Sequence, residues 1–250
     1  MSYSKAELMA CIIARELKDD DIVAIGLHAE LMLAAAMLAQ KIYSPNLRIR
    51  HGLRVERGVE LNPAAWTLNT DTKAHKLVEY HEEHDSILTI ANSNNPNLIC
   101  NTFFIGGIQI DRYGNTNLIG IRNKEGGFKV RGPGSIGTTS IAELAKKHYI
   151  FSLEHTRRVF VEKVDYVSAA GCDKGKEPEL CITPLCIFDF RKGTARLRSI
   201  HHGHALQDVI ENTGFEFLVD EVKETKLPTE QELTALREID IDGVLKDLVK

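Results

Sequence analysis

The chain has 250 residues, with 31 Lys and Arg against 35 Asp and Glu, for a net charge of −4 with histidine neutral. That length supports one large α/β domain with its own core, and residues 1–250 are read as a single domain. The weak negative charge without a basic run argues against a nucleic-acid surface, no apolar segment is long enough to cross a bilayer, and the first residues lack the pattern of a signal peptide, so the expected location is the cytoplasm.

Ser4-Lys5-Ala6-Glu7 reads as a capping box, and Leu8, Cys11, Ile12 and Leu17 then recur at helical spacing up to Lys18-Asp19-Asp20-Asp21. Ile22-Val23-Ala24-Ile25-Gly26 has the form of a strand covered on both faces. Residues 30–41, rich in Ala, Leu and Met, predict a buried packing helix that Pro45-Asn46 stops. Leu47-Arg48-Ile49-Arg50-His51-Gly52-Leu53 alternates as a strand and ends at a glycine turn. Helix, strand, helix, strand implies a parallel sheet with crossover helices, whose ligand sites gather at the carboxyl ends of the strands.

Residues 60–72, around the single tryptophan Trp66, read as a long loop. Residues 73–85 are polar and predict a helix carrying His75, His81 and His84. The i, i+4 histidine pair of a zinc helix is missing there, so no metal is expected. The turn cluster at 92–97 delivers the chain into Phe103-Phe104-Ile105-Gly106-Gly107-Ile108-Gln109-Ile110-Asp111-Arg112-Tyr113-Gly114-Asn115-Thr116-Asn117. This reads as an apolar strand that runs into paired glycines, resumes with alternation and turns at Tyr-Gly-Asn, leaving a backbone edge exposed.

Arg131-Gly132-Pro133-Gly134-Ser135 opens a loop rich in Gly and hydroxyl residues before a helix at 141–147. It is either a tight turn or a cradle that offers N–H groups to an anion; it is not a Walker loop, and no G-x-G-x-x-G opens a βα unit. Strands are expected at 149–155 and 159–167, with Arg157-Arg158 between them, and a hairpin at 181–190 and 195–200 around Arg191-Lys192-Gly193. His201-His202-Gly203-His204 reads as a loop rather than a metal ligand set, because adjacent histidines on a strand end diverge. A helix at 206–213, a strand at 215–219 and a helix at 229–239, with Thr229 and Glu232 as its capping box, close the chain. The five cysteines, Cys11, Cys100, Cys172, Cys181 and Cys186, are odd in number and lack CxxC spacing, so free thiols are expected. Cys172, beside Gly171, is the one worth testing for reactivity.

At Gly106-Gly107-Ile108-Gln109-Ile110-Asp111-Arg112-Tyr113-Gly114-Asn115 the chain resembles the beta subunit of the class I CoA-transferase family, and is similar to the beta subunit of glutaconate CoA-transferase. The resemblance continues through Arg131-Gly132-Pro133-Gly134-Ser135, Leu153-Glu154-His155, Arg158-Val159-Phe160-Val161-Glu162-Lys163-Val164-Asp165-Tyr166-Val167, Glu211-Asn212-Thr213-Gly214-Phe215 and Pro228-Thr229-Glu230-Gln231-Glu232-Leu233. It implies an α/β fold with an open, mostly parallel sheet and helices on both faces. It also implies an alpha subunit that completes the active site, and coenzyme A as part of the substrate rather than as a resident cofactor. By the same resemblance Gly106, Gly107, Gln109, Asn115, Arg131, Gly132 and Gly134, with Gly52, would contact the thioester or CoA.

The chain departs from the family at the nucleophile. Transferring members resemble one another in a Glu-Ser-Gly or Glu-Asn-Gly motif where this chain has Arg50-His51-Gly52. Arginine has no accessible lone pair at neutral pH and cannot take the covalent role. Glu56 is a nearby carboxylate, whose alternative reading is a surface residue. Two branches of the family also lack that Glu: a decarboxylase of glutaconyl-CoA-type substrates with a cysteine there, and a hydrolase that opens a ring in a diketone acyl-CoA in steroid catabolism. The second resembles this chain more, which implies binding and polarisation by Arg50 and proton relay by His51; the alternative is an ion-paired Arg50 with His51 as a spacer. True CoA transfer, decarboxylation and a non-catalytic scaffold subunit are the other readings.

Overall fold

The structure, a computed structural model, describes residues 2–26, 29–51, 54–57, 80–83, 100–135 and 137–249, with the backbone alone for residues 51, 54–57, 80–83 and 247. The chain divides into two units, Met1–Phe104 with Lys226–Lys250, and Ile105–Thr225.

In the first unit, helix α1 (Lys5–Glu16) starts at the expected cap: Ser4 Oγ accepts the Glu7 N–H at 3.1 Å, and Glu7 Oε2 accepts the Ser4 N–H at 2.7 Å. These reciprocal bonds fill donors that a helix start leaves open. Helix α2 (Glu30–Ile42) follows, and Leu8, Met9 and Ile13 of α1 and Leu31, Met32 and Leu38 of α2 are buried. The strands β1 (Ile22–Ile25), β2 (Arg48–His51), β3 (Arg54–Arg57), β4 (Tyr80–Glu83) and β5 (Thr102–Ile105) lie in the order β5-β1-β2-β3-β4. β1 is parallel to both β2 and β5, as the alternation of helix and strand requires, while β3 and β4 add antiparallel strands beyond β2.

Residues 80–83, read above as helical, are strand β4. Pairing with β3, which sets His81 opposite Glu56, gives their backbone groups ladder partners, and this overrides a weak helical propensity. The rest of 73–85, with His75 and His84, lies outside the described residues, as do the loop with Trp66, the turn at 92–97, and Gly52.

The second unit begins with two small sheets, β6 (Gln109–Ile110) with β7 (Thr116–Asn117), and β8 (Gly120–Arg122) with β9 (Phe128–Arg131), both antiparallel. After helix α3 (Thr138–Leu144) come β10 (Lys147–Phe151), β11 (Cys181–Ile182), β12 (Cys186–Asp189), β13 (Arg196–Ile200), helix α4 (Leu206–Asn212) and β14 (Leu218–Val219). β10 to β14 lie side by side in chain order, with the expected hairpin joining β12 to β13 at Gly193; its first arm, read as one strand over 181–190, is divided by a turn in which the Thr183 N–H donates to Cys186 O at 3.1 Å, so that β11 and β12 pair antiparallel.

Residues 159–167 alternate like a strand but form none; Phe160 makes only an isolated bridge to Ile110. Turn and side-chain bonds take the backbone instead: Val159 N–H goes to Thr156 O at 3.0 Å and Asp165 N–H to Gln109 Oε1 at 3.0 Å. The expected strand at 149–155 ends at Phe151, and His155 sits beyond it, stacked on Phe160 with ring centroids 4.2 Å apart in a core shared with Phe188 and Phe215. His201 of the histidine run is buried and bonded to Thr225 Oγ1 and Thr183 O, and the described residues hold no cluster fit for a metal.

Helix α5 (Glu230–Ile239) returns to the first unit, capped by Thr229 and Glu232 as expected. The same Glu232 is buried and takes Arg15 of α1 in a two-pronged pair, Nε at 2.6 Å and Nη2 at 2.7 Å, while also accepting the Tyr43 hydroxyl. Burial alone would raise this carboxyl, but bonds from Arg15, Tyr43 and Thr229 hold it down at about 2. No helix among the described residues is long and apolar enough to cross a membrane.

These buried charges and rings set how the chain responds to mutation and to acid. Glu232→Ala takes the carboxylate from Arg15, which keeps only the carbonyls of Lys226 and Leu227, and removes a cap, so urea unfolding at pH 7 should show a loss of about 3 kcal/mol. Burial holds His148 at about 4, His155 at about 3 and His201 at about 4, so these rings stay neutral in the folded chain. The unfolded chain takes up protons below about 6.5. Stability is therefore complete above that pH and falls as acid is added, the Glu232 contribution following below about 4.5. The nitrogens of His148 have no hydrogen-bond partner among the described residues. His148→Leu should thus flatten the stability slope between pH 6.5 and 4.5 by up to about 1.4 kcal/mol per pH unit, read from denaturation at several pH values.

Candidate functional site

After β5 the chain passes through Gly106-Gly107 into the two-residue pair β6 and β7, which sets Gln109 opposite Asn117 and Ile110 opposite Thr116. The buried Gln109 amide is fully engaged: Oε1 accepts Asn117 Nδ2 at 2.7 Å and the Asp165 N–H at 3.0 Å, and Nε2 donates to Asp165 Oδ2 at 3.3 Å. Asn117 Oδ1 in turn accepts the Ile119 N–H at 2.9 Å. In this arrangement Gln109 positions the 165 region.

Asn115, only 2% exposed, does more. Its Nδ2 donates to Asp111 Oδ2 at 3.1 Å and to Asp173 Oδ1 at 2.9 Å, and its Oδ1 accepts the Gly171 N–H at 2.9 Å. Asp111 Oδ1 accepts the N–H groups of Tyr113 at 3.0 Å and Asn115 at 3.1 Å. Burial pushes the Asp111 carboxyl up against the pull of these bonds, while Asp173, helped by Lys174 and Asn115, lies below its usual range despite its burial. The approach is so close that a Cβ on Gly171 would lie 2.1 Å from Tyr113 O, which requires glycine there. Asp111, Tyr113, Asn115, Val164, Val167 and Lys174 line a cleft of about 360 Å³. Cys172 beside it is not activated; burial and Asp173 push its thiol up.

The glycine loop is tied to the same segment. Gly132 N–H donates to Ile119 O at 2.9 Å and Gly134 N–H to Leu118 O at 2.9 Å, and a Cβ on Gly132 would lie 2.2 Å from Leu118 O. Of the two readings the sequence leaves open, a tight turn or an anion cradle, these bonds fit the turn: both N–H groups are used by the chain itself. Arg131 Nη1 donates to Ile119 O. Ser168 fastens the far side, accepting the Leu118 N–H on Oγ at 2.8 Å and the Thr139 hydroxyl on its carbonyl at 2.6 Å, with Ser135 Oγ at 3.1 Å from its own Oγ.

Arg50 belongs to the other unit. It sits one residue before the end of β2, 4% exposed, in register with Ala24 on β1, which is itself in register with Phe103 on β5. Its charge reaches Cys100, whose thiol burial nevertheless pushes up to about 11. His51 ends β2 and Glu56 lies on β3 opposite Ile49; their side chains lie outside the described residues, as does Gly52.

The structure therefore brings Gln109, Asn115, Arg131, Gly132 and Gly134 into one hydrogen-bonded neighbourhood, packs Gly107 closely against Gln109 and Thr116, and puts Arg50, His51 and Glu56 on adjacent strands. Sequence reasoning assigns no role to Asp165, Ser168 or Asp173, which fasten that neighbourhood. Only the turn pattern Asp111-x-x-x-Asn115 hints at it.

The sequence profile of the family described as Coenzyme A transferase matches residues 6–212, across parts of both units. Among curated proteins, the beta-type subunit of 3-oxoadipate CoA-transferase from Pseudomonas knackmussii is 32% identical, with 96% of this chain and 94% of that protein covered. The cholesterol ring-cleaving hydrolase IpdB subunit of Mycobacterium tuberculosis is 34% identical, over 57% of this chain and 61% of that protein. Among solved structures, glutaconate coenzyme A-transferase from Acidaminococcus fermentans superposes with a TM-score of 0.83 at 25% identity, covering 98% of this chain and 97% of that one. The α/β fold, the family profile and near full-length relatives agree: this chain belongs to the coenzyme A transferase family.

Proposed function

We propose that the chain is the beta-type subunit of an enzyme that works on an acyl-CoA with an alpha subunit, and that its reaction is the hydrolytic opening of a ring in a cyclic diketone acyl-CoA of steroid type. The observation that carries the reading is Arg50, buried near the carboxyl end of a parallel strand at the segment where the resemblance places the transferases' nucleophilic Glu. A guanidinium there cannot form an acyl anhydride, but it can hold an anion. In the proposed step a carboxylate of the alpha subunit deprotonates water, and the hydroxide adds to a ring carbonyl. The adjacent carbon–carbon bond then breaks with its electron pair going to the neighbouring carbon. Arg50 stabilises the resulting enolate, and a proton passed through His51 returns to that carbon. The identity with the ring-cleaving hydrolase subunit supports this choice. CoA enters and leaves as part of the substrate. The cytoplasm suits the five free cysteines.

CoA transfer between carboxylic acids is the second reading, favoured by the near full-length identity with the corresponding subunit of the 3-oxoadipate enzyme. It needs a carboxylate nucleophile, for which Glu56 on β3 is the candidate. The two readings separate on the complex co-expressed with its alpha subunit. Under hydrolysis, Arg50→Ala should lower kcat roughly a hundredfold or more with assembly intact, and Arg50→Lys should recover part of it. Unchanged turnover in Arg50→Ala would remove Arg50 from the reaction. Under transfer, acyl-CoA should leave an adduct on this chain that hydroxylamine or borohydride traps, and Glu56→Gln should abolish it. If turnover per assembled complex survives every one of these changes, the chain is a scaffold subunit.

A further inference from the structure

Apart from Arg131 at its end, the β8–β9 hairpin has no part in the chemistry above, yet it has an unusual surface. From 122 to 130 every residue is exposed, and Phe128 is 45% accessible. Residues 120–131 hold Arg122, Lys124, Lys129 and Arg131 against Glu125 alone, in a chain whose net charge is −4. Charge of one sign gathered on one projection of an oppositely charged chain marks a site for a polyanion.

The two arginines are held in place. Arg122 Cζ lies 4.4 Å from the centre of the Tyr166 ring, that ring is 5.8 Å from Phe128, and Arg131 Cζ lies 5.1 Å from the Phe128 centre. The order is guanidinium, ring, ring, guanidinium. A guanidinium lying over a ring is held by the ring's negative face and leaves its N–H edge available. Arg131 spends one such group on Ile119 O, whereas the Arg122 side chain has no ion-pair partner among the described residues; its bond to Asp165 Oδ2, at 3.0 Å, uses the backbone N–H. Planar forks with fixed orientation match phosphate oxygens in pairs.

We propose that this hairpin binds the phosphorylated adenosine end of the acyl-CoA, with Arg122 and Arg131 on its phosphates and Lys124 and Lys129 adding field. The inference rests on the acyl-CoA reading above. One further feature favours it over a protein partner: lysine is depleted at the cores of protein interfaces, whereas here Lys124 and Lys129 stand on the same hairpin as the exposed Phe128.

The test is calorimetric titration of the co-expressed complex with CoA, pantetheine and ATP, for the wild type, Arg122→Ala and the surface double change Lys124→Glu with Lys129→Glu. The expected result is CoA affinity lower by tenfold or more in both variants, pantetheine affinity unchanged, and a shallower loss of CoA binding with salt. Equal CoA affinity in wild type and variants would overturn the inference while leaving the acyl-CoA reading intact. So would variants that bind CoA normally but no longer co-purify with the alpha subunit, which would make the hairpin a protein interface. ATP bound as tightly as CoA, and lost in the same variants, would make it a free-nucleotide site instead. A wild-type complex that binds neither CoA nor pantetheine would overturn both readings together.

Discussion

The arrangement of the second unit hangs on one amide. Asn115 Nδ2 is shared between Asp111 and Asp173 while its Oδ1 holds the Gly171 N–H, so the turn after β6 and the segment entering the 3-10 turn at Cys172–Lys174 are fixed by one buried side chain. A buried polar group is stabilising only when every partner is present, and here they are supplied from three places in the sequence. Ser168 extends the same tie to Leu118 and the start of α3. The glycine loop thus owes its position to side chains downstream of it as much as to its own residues.

A different interaction organises the first unit. Glu232 receives Arg15 in two prongs and Tyr43 besides, so the opening helix, the end of α2 and the closing helix meet at one carboxylate. With the helices held there, the parallel strands β1, β2 and β5 are set in register, and Arg50 falls in line with Ala24 and Phe103. Each unit therefore carries its own candidate residues: the strand end with Arg50 in one, and the glycine-rich, hydrogen-bonded neighbourhood in the other.

For function, the contrast lies between a shared frame and an altered group. Family profile, fold and full-length relatives all point to acyl-CoA chemistry. Under the proposal above, the reaction within that chemistry depends on what the buried cation Arg50 does near the carboxyl end of β2. A guanidinium trades covalent capture for electrostatic stabilisation of a developing anion, which suits bond cleavage by water more than passage through an anhydride.

By itself the sequence determined the first and last helices, because their signals are local: Ser4 with Glu7 and Thr229 with Glu232 close capping boxes within one turn, and both appear as read. The buried β1 and the β12–β13 hairpin were legible for the same reason. Motifs spread along the chain also carried the family. Tertiary structure decided the rest. The alternating residues 159–167 form no strand because Gln109 and Thr156 take their backbone groups, and residues 80–83 form one because β3 offers a ladder. Gln109, with Gly132 and Gly134, bonds to Asn117, Asp165, Leu118 and Ile119, partners that no pattern around these residues announces. Whether a polar group is free for a ligand depends on partners distant in sequence, and no local pattern records which of them arrive.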